Sequence, residues 1–210
     1  MKIKICGLFR NEDIGYVNEA MPDYAGFVFA KSRRQVTPQQ AGFLRTRLAG
    51  GIVPVGVFVN APLETISSLF REGIIEIAQL HGSEDEEYMT RLKALCGIPV
   101  IKAILATNES GILANAIPPV QGGTDRSCLN SPSCIDYYLI DSGAGSGNAF
   151  NWDMLESCQF DKPWFLAGGI NLNNIEMAKA QHPYALDISS GAETDGVKDR
   201  EKILQLKGRL

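Results

Sequence analysis

Long hydrophobic runs, metal-binding spacings and a pronounced excess of one charge are all missing from this 210-residue chain. No apolar stretch approaches the ~20 residues needed to span a bilayer. The N-terminus, Met1 to Cys6, lacks the longer apolar core of a secretion signal, so the cytoplasm is the expected compartment. A net charge of −4 gives no reason to expect nucleic acid or an acidic membrane as a partner. Histidine is scarce (His81 and His182 only), and Cys6, Cys96, Cys128, Cys134 and Cys158 form no C-x-x-C pair, so no metal site is expected. An odd number of thiols in a reducing compartment reads as free side chains, mostly small buried hydrophobes. An early G-x-G-x-x-G is also missing, which counts against a doubly wound dinucleotide-binding sheet.

What the chain does have is alternation. Short apolar runs occur at Ile3 to Cys6, Tyr24 to Phe29, Val53 to Val59, Ile75 to Gln79, Pro99 to Ile104, Tyr137 to Asp141, Trp164 to Ala167 and Tyr184 to Ile188. Most are continuously apolar, as parallel strands covered on both faces require. Between them, Leu63, Ile66, Leu69 and Phe70 share one helical face, as do Tyr88, Leu92 and Leu95. Thr37 with Gln40 and Ser83 with Glu86 read as capping boxes, and Asn171 and Asp199 read as caps of the last two helices. Strand–helix units averaging roughly 25 residues predict an α/β fold, one small parallel eight-stranded (β/α)₈ TIM barrel over residues 1–210. The fifth helix is expected to be weak or irregular. Asn108 to Ile117 is a poor helical segment, and Pro118 to Ser133, rich in Pro, Gly and Ser, reads as a loop or an insertion. A linker between two domains is the alternative, but the fragment after it is too short to close a second barrel.

In such a barrel the polar residues at the C-terminal ends of strands are the catalytic candidates. They are Cys6, Asn60, Gln79 with His81, Lys102, Asp141, Gly168-Gly169, and Asp187 with Ser189. Singly, each has an ordinary structural reading: a buried thiol, a polar core layer, or a cap. Their convergence on one rim is what favours chemistry. Glycine-rich turns follow strands seven (Gly168, Gly169) and eight (Ser189, Ser190, Gly191), where barrels of this kind place a phosphate. Gly145 and Gly147, after strand six, are further contributors on a loop suited to closing over substrate.

The same residues resemble a known family. Lys4-Ile5-Cys6-Gly7, Gly26-Phe27-Val28-Phe29, Ser32-Arg33-Arg34, Val55-Gly56-Val57-Phe58-Val59-Asn60 and Gln79-Leu80-His81-Gly82 are similar to successive segments of phosphoribosylanthranilate isomerases. So are Asp141 with Gly145-Ser146-Gly147 and Phe150-Asn151-Trp152, then Ala167-Gly168-Gly169-Ile170 and Asp187-Ile188-Ser189-Ser190-Gly191-Ala192-Glu193. The matches run in order along nearly the whole chain. Arg33 stands where many members have proline, Asn151 replaces the usual aspartate, and residues 118–133 match nothing in the family.

The resemblance implies an enzyme of tryptophan biosynthesis that performs an Amadori rearrangement, turning N-(5-phosphoribosyl)anthranilate into 1-(2-carboxyphenylamino)-1-deoxyribulose 5-phosphate. One acid and one base suffice, so no cofactor and no metal are expected. It implies Asp141 as the acid and Cys6 as the base, Arg34 on the anthranilate carboxylate, and Asp187, His81 and Gln79 around the sugar. Ordinary values, ~3.9 for aspartic acid and ~8.5 for a thiol, leave both groups in the wrong form at neutral pH. The roles therefore call for a desolvated Asp141 and for positive charge near Cys6. The only partner expected is the small phosphorylated substrate, and association with other tryptophan-pathway enzymes is compatible with it. The rivals are a metal- or aspartate-dependent phosphosugar barrel, a barrel that binds its ligand without turnover, and a scaffold in an enzyme assembly.

Overall fold

Eight parallel strands close on themselves in chain order, β1 to β8, to form a barrel with helices outside it. The structure is a computed structural model that describes residues 1–106, 132–141, 152–155 and 160–210. The strands are β1 Lys2–Cys6, β2 Tyr24–Val28, β3 Val53–Phe58, β4 Ile77–Leu80, β5 Val100–Leu105, β6 Tyr137–Asp141, β7 Trp164–Ala167 and β8 Ala185–Ile188. Each lies where an apolar run was expected. The helices are α1 Asn11–Ala20, α2 Pro38–Arg45, α3 Leu63–Arg71, α4 Glu86–Cys96, α5 Ile175–Ala180 and α6 Arg200–Gly208. After β8 come a short 3₁₀ turn, Ser190–Ala192, and a two-stranded hairpin, β9 Glu193–Thr194 with β10 Val197–Lys198. The expected weak fifth helix and the glycine loop holding Gly145 and Gly147 lie outside the described residues.

Helix starts are only partly as the sequence suggests. The Thr37 hydroxyl accepts the Gln40 amide N–H at 3.1 Å, but the Gln40 side chain donates to the Phe9 carbonyl instead of closing a capping box. The start of α4 needs correcting: Asp85, not Ser83, caps it, accepting from the Tyr88 amide at 2.8 Å. Ser83 sits too early, and its hydroxyl donates to Asn60. Asp199 does cap α6, accepting from Lys202. Asn171 instead forms a turn ahead of α5, whose own first flanking residue is Asn174.

Strand alternation sorts the side chains into two cores. Ile3 and Ile5, Ala25 and Phe27, and Leu166 point outward and pack with helix residues such as Val17, Ile66, Leu69, Leu92 and Ile203. Each such fully buried side chain contributes ~1.5–3 kcal/mol. The opposite parity fills the barrel. Tyr24, Val55, Ile77, Ile101, Leu139 and Phe165 form one apolar cluster, with Tyr137 and Tyr184 packed against it. Further along β1, β4, β6 and β8 the inward positions are polar: Lys4 then Cys6, Gln79 then His81, Asp141, and Asp187 then Ser189. The fold thus raises a chemical layer on an apolar plug.

Candidate active site

A cavity of about 360 Å³ opens at the C-terminal end of the barrel, and its walls carry Cys6, Arg34, Gln79, His81, Asp141, Asp187 and Ser189. Gly168, Gly169 and Ser190 complete one side. Most of the residues singled out from the sequence therefore meet in one place. Asn60, Lys102 and Gly191 do not line the cavity. Lys102 donates to the Gly82 carbonyl at 2.8 Å and pairs with the buried Glu84 at 3.1 Å, while Asn60 accepts from Ser83, so both shape the turn after β4. Another cleft, between α3 and α4, is lined by Glu64, Ser67, Arg71 and Leu95 and lies on the outside of the barrel.

Glycines make room for the thiol and for Arg34. A Cβ on Gly26, the register partner of Cys6 on β2, would sit 2.7 Å from the Cys6 sulfur. Gly7 has φ +83°, and a Cβ there would reach within 2.4 Å of the Arg34 side chain. The glycine after Cys6 therefore lets the chain turn sharply while Arg34 passes over it. Gly168 and Gly169 also have positive φ, 97° and 66°. Side-chain amides of Asn171 and Asn174 both donate to the Gly169 carbonyl, occupying an oxygen that would otherwise repel an anion. Gly191 packs so closely that a Cβ would lie 1.8 Å from the Ile170 carbonyl. Gly191→Ala should therefore cost about 2 kcal/mol or more, a fall in Tm of roughly 4–8 °C for a chain of this size. An unchanged melting curve would refute the close packing of these two loops.

Charge in the pocket is organised around two groups whose importance the sequence did not signal. The first is Lys4, fully buried in the barrel. Its ammonium donates to Gln79 Oε1 at 2.7 Å and Asp187 Oδ2 at 2.9 Å. Burial acts to lower its pKa, but Asp187 and Cys6 outweigh this and hold it above the ordinary lysine value, so it is charged. The second is Glu193, where Arg33, Arg34 and Lys198 converge at 2.6 to 2.8 Å. Burial pushes Glu193 up, yet its hydrogen bonds from Arg34 and Lys198 prevail and its pKa stays below the ordinary carboxylate value. Three cations share this one carboxylate, which leaves the cluster net positive. A lysine at even spacing from Cys6 on a strand was the available signal for Lys4. Nothing local marked the charge cluster on Glu193, because Arg33 and Arg34 lie 160 and 159 positions away, although Lys198 is only five residues on.

The cations do not suffice to lower the thiol. Burial raises the Cys6 pKa above its ordinary value, and the opposing pull of Lys4 and Lys198 falls short. The positive charge expected near Cys6 is present, but the net shift has the other sign. Across the mouth, the Asp141 carboxylate Oδ2 lies 3.3 Å from His81 Nε2, and His81 Nδ1 is 3.1 Å from the Gln79 amide nitrogen. Asp187 keeps its second oxygen, Oδ1, buried without a hydrogen-bond partner. A buried acceptor left bare costs about 1–3 kcal/mol, which a ligand hydroxyl can recover. Among the described residues no group of three or more His, Cys, Asp or Glu side chains is arranged to hold a metal. Nor is any described helix long and apolar enough to cross a membrane.

Comparison with known proteins gives one consistent picture. The family model described as N-(5'phosphoribosyl)anthranilate (PRA) isomerase matches residues 3–207. A relative from Endomicrobium trichonymphae named N-(5'-phosphoribosyl)anthranilate isomerase is 43% identical over 205 residues, covering 97% of this chain and 95% of its own. The crystal structure of phosphoribosyl anthranilate isomerase from Thermus thermophilus superposes with a TM-score of 0.77 at 33% identity, covering 100% of this chain and 98% of that one. A further solved structure is a phosphoribosyl anthranilate isomerase in complex with reduced 1-(o-carboxyphenylamino)-1-deoxyribulose 5-phosphate. It has a TM-score of 0.73 at 27% identity and covers 99% of this chain and 96% of that one.

Proposed function

The chain belongs to the N-(5'-phosphoribosyl)anthranilate isomerase family, and we propose that it carries out that family's reaction with Cys6 as general base and Asp141 as general acid. The activity is an isomerisation in tryptophan biosynthesis, the conversion of an aminoaldose phosphate to an aminoketose phosphate. One observation carries the residue assignment: Cys6, Asp141 and Arg34 line the same cavity, with Gly169 and Ser190 on its wall.

The steps follow from the chemistry. Asp141 gives a proton to the furanose ring oxygen; the bond from that oxygen to C1 breaks, and the anthranilate nitrogen's lone pair forms the C1=N iminium. The Cys6 thiolate takes the proton from C2, and the C–H electron pair moves toward the iminium nitrogen to give an enolamine. Its tautomerisation places a proton on C1 and leaves the ketone at C2. A carboxyl opposite a thiol across one pocket suits this sequence, because the ring oxygen and the C2 hydrogen belong to different parts of the sugar.

Binding contacts are assigned by complementarity. Arg34 gives Nε–H and one Nη2–H to Glu193, and its Nη1 edge retains a fork that matches the anthranilate carboxylate. Asp187 Oδ1 is placed to accept a ribose hydroxyl, and His81 and Gln79 border the sugar. Gly168, Gly169, Ser189, Ser190 and Gly191 form the phosphate cradle, with Gly145 and Gly147 as contributors from the loop after β6. The reading takes residues 1–210 as one catalytic domain working in the cytoplasm without a cofactor. Metal-dependent phosphosugar chemistry is the other reading, and loss of activity to a chelator would favour it.

The direct test is to mix the purified protein with freshly made phosphoribosylanthranilate and follow the decay of its fluorescence. Turnover no faster than the spontaneous reaction would overturn the reading. Arg34→Ala should raise KM about 10- to 100-fold, the worth of a charged hydrogen-bonded contact, with a smaller change in kcat. An unchanged KM would remove Arg34 from the carboxylate.

A further inference from the structure

We propose that Lys4 sets the direction of a hydrogen-bond relay, Lys4–Gln79–His81, that holds His81 as the neutral tautomer with its proton on Nε2, the ring nitrogen 3.3 Å from the Asp141 carboxylate. Donor and acceptor counting leads to this. An ammonium has only donors, so the Gln79 atom 2.7 Å from Lys4 Nζ is the amide oxygen. The other end of that amide is then the NH₂ group, which only donates. It lies 3.1 Å from His81 Nδ1, so Nδ1 presents its lone pair. A neutral imidazole with an unprotonated Nδ1 carries its hydrogen on Nε2, which lies 3.3 Å from Asp141 Oδ2. Lys4 is locked in this role by its burial and by its second bond, to Asp187 Oδ2.

The consequence rests on the reading of Asp141 as the acid. An N–H on the ring nitrogen beside the Asp141 carboxylate stabilises that carboxylate as its proton departs to the furanose oxygen. A hydrogen on Nδ1 would set donor against donor at Gln79. Lys4 and Gln79 are thus positioning residues: neither needs to touch the reacting atoms. Lys4, which also pulls the Cys6 thiol downward, serves both halves of the reaction.

Nitrogen NMR of the imidazoles in the full, substrate-free chain tests this, since there are only two histidines and a His182→Gln variant leaves His81 alone. His81 Nδ1 should fall in the unprotonated range and Nε2 in the protonated range. Gln79→Glu preserves size and the Lys4 contact but presents an acceptor to Nδ1. It should move a proton onto Nδ1 and lower kcat about 10- to 100-fold with little change in KM. Should that variant fail to fold, Gln79→Met removes both polar ends and should shift both nitrogens toward a tautomer mixture. A proton on Nδ1 in the unmutated chain, unmoved shifts in the Gln79 variants, or a normal kcat in a shifted variant would each overturn the relay. Near-normal turnover by Asp141→Asn, with the expected tautomer still observed, would instead overturn the assignment of the acid.

Discussion

Cys6→Ala is expected to keep the barrel and lose about 10³-fold in kcat, the middle of the range for a general base. The two effects separate because of where the thiol sits. Gly26 leaves a slot for the sulfur, so truncation opens a small void at the rim without breaking a strand. The cost is about 1 kcal/mol, or ~2–4 °C in Tm. Cys6→Ser fills the slot but places a much weaker acid there, so it should not rescue turnover. The raised thiol adds a pH signature. In the free protein thiolate is scarce at neutral pH, because burial holds the Cys6 pKa above its ordinary value. Each unit of pH below that pKa then multiplies the thiolate about tenfold, so iodoacetamide labelling of Cys6 should be slow at pH 7 and climb about tenfold per unit. Labelling that is fast and flat from pH 6 to 8 would show a thiol already ionised, and near-normal kcat in Cys6→Ala would remove it as base.

On the proposed mechanism the substrate itself supplies charge that favours the thiolate. With Cys6 as the proposed base, the iminium formed by ring opening would be a cation beside it, and an opposite charge within a few ångströms favours the thiolate. A thiol in that role would be hardest to ionise in the free protein and easiest once ring opening has placed the cation beside it. Lys4 and the positive cluster around Glu193 lie outside this change and bias it throughout.

The barrel was readable from the chain because parallel strands buried on both faces appear as short apolar runs, and eight such runs with helical stretches between them leave few folds open. Cys6, Asp141 and the paired glycines were readable because strand ends are local in sequence. The helix starts at Ser83 and Asn171 were misread because a cap depends on one backbone conformation. Asp85 has it two residues later, and nothing in composition distinguishes the two. Glu193 and Lys4 were harder still. Glu193 meets Arg34 across 159 positions and Lys4 meets Asp187 across 183. Only closure of β8 onto β1 brings these partners together, and a single sequence contains no trace of such pairing. Buried charges in the middle of an apolar pattern are the nearest thing to a signal. They mark where the fold has a partner waiting.

Asp141→Asn should likewise lower kcat about 10³-fold, with KM nearly unchanged, because asparagine keeps the size of the side chain and an oxygen that can sit beside His81. What it cannot do is give a proton to the furanose oxygen. That distinction can be made sharp with a substrate analogue lacking the sugar's 4-hydroxyl, which cannot close a furanose and exists as the open-chain imine. With it, the C1–O bond whose cleavage is assigned to Asp141 is already absent, and only a proton on the imine nitrogen, which water can supply, separates it from the iminium. Asp141→Asn should turn over this analogue within about threefold of the unmutated rate, because only ring opening has been lost. Cys6→Ala should remain about 10³-fold slow, because removal of the C2 proton is still required. Equal defects of the two variants on the analogue would mean that Asp141 also acts after ring opening, and a fast Asp141→Asn on the natural substrate would place the acid elsewhere in the pocket.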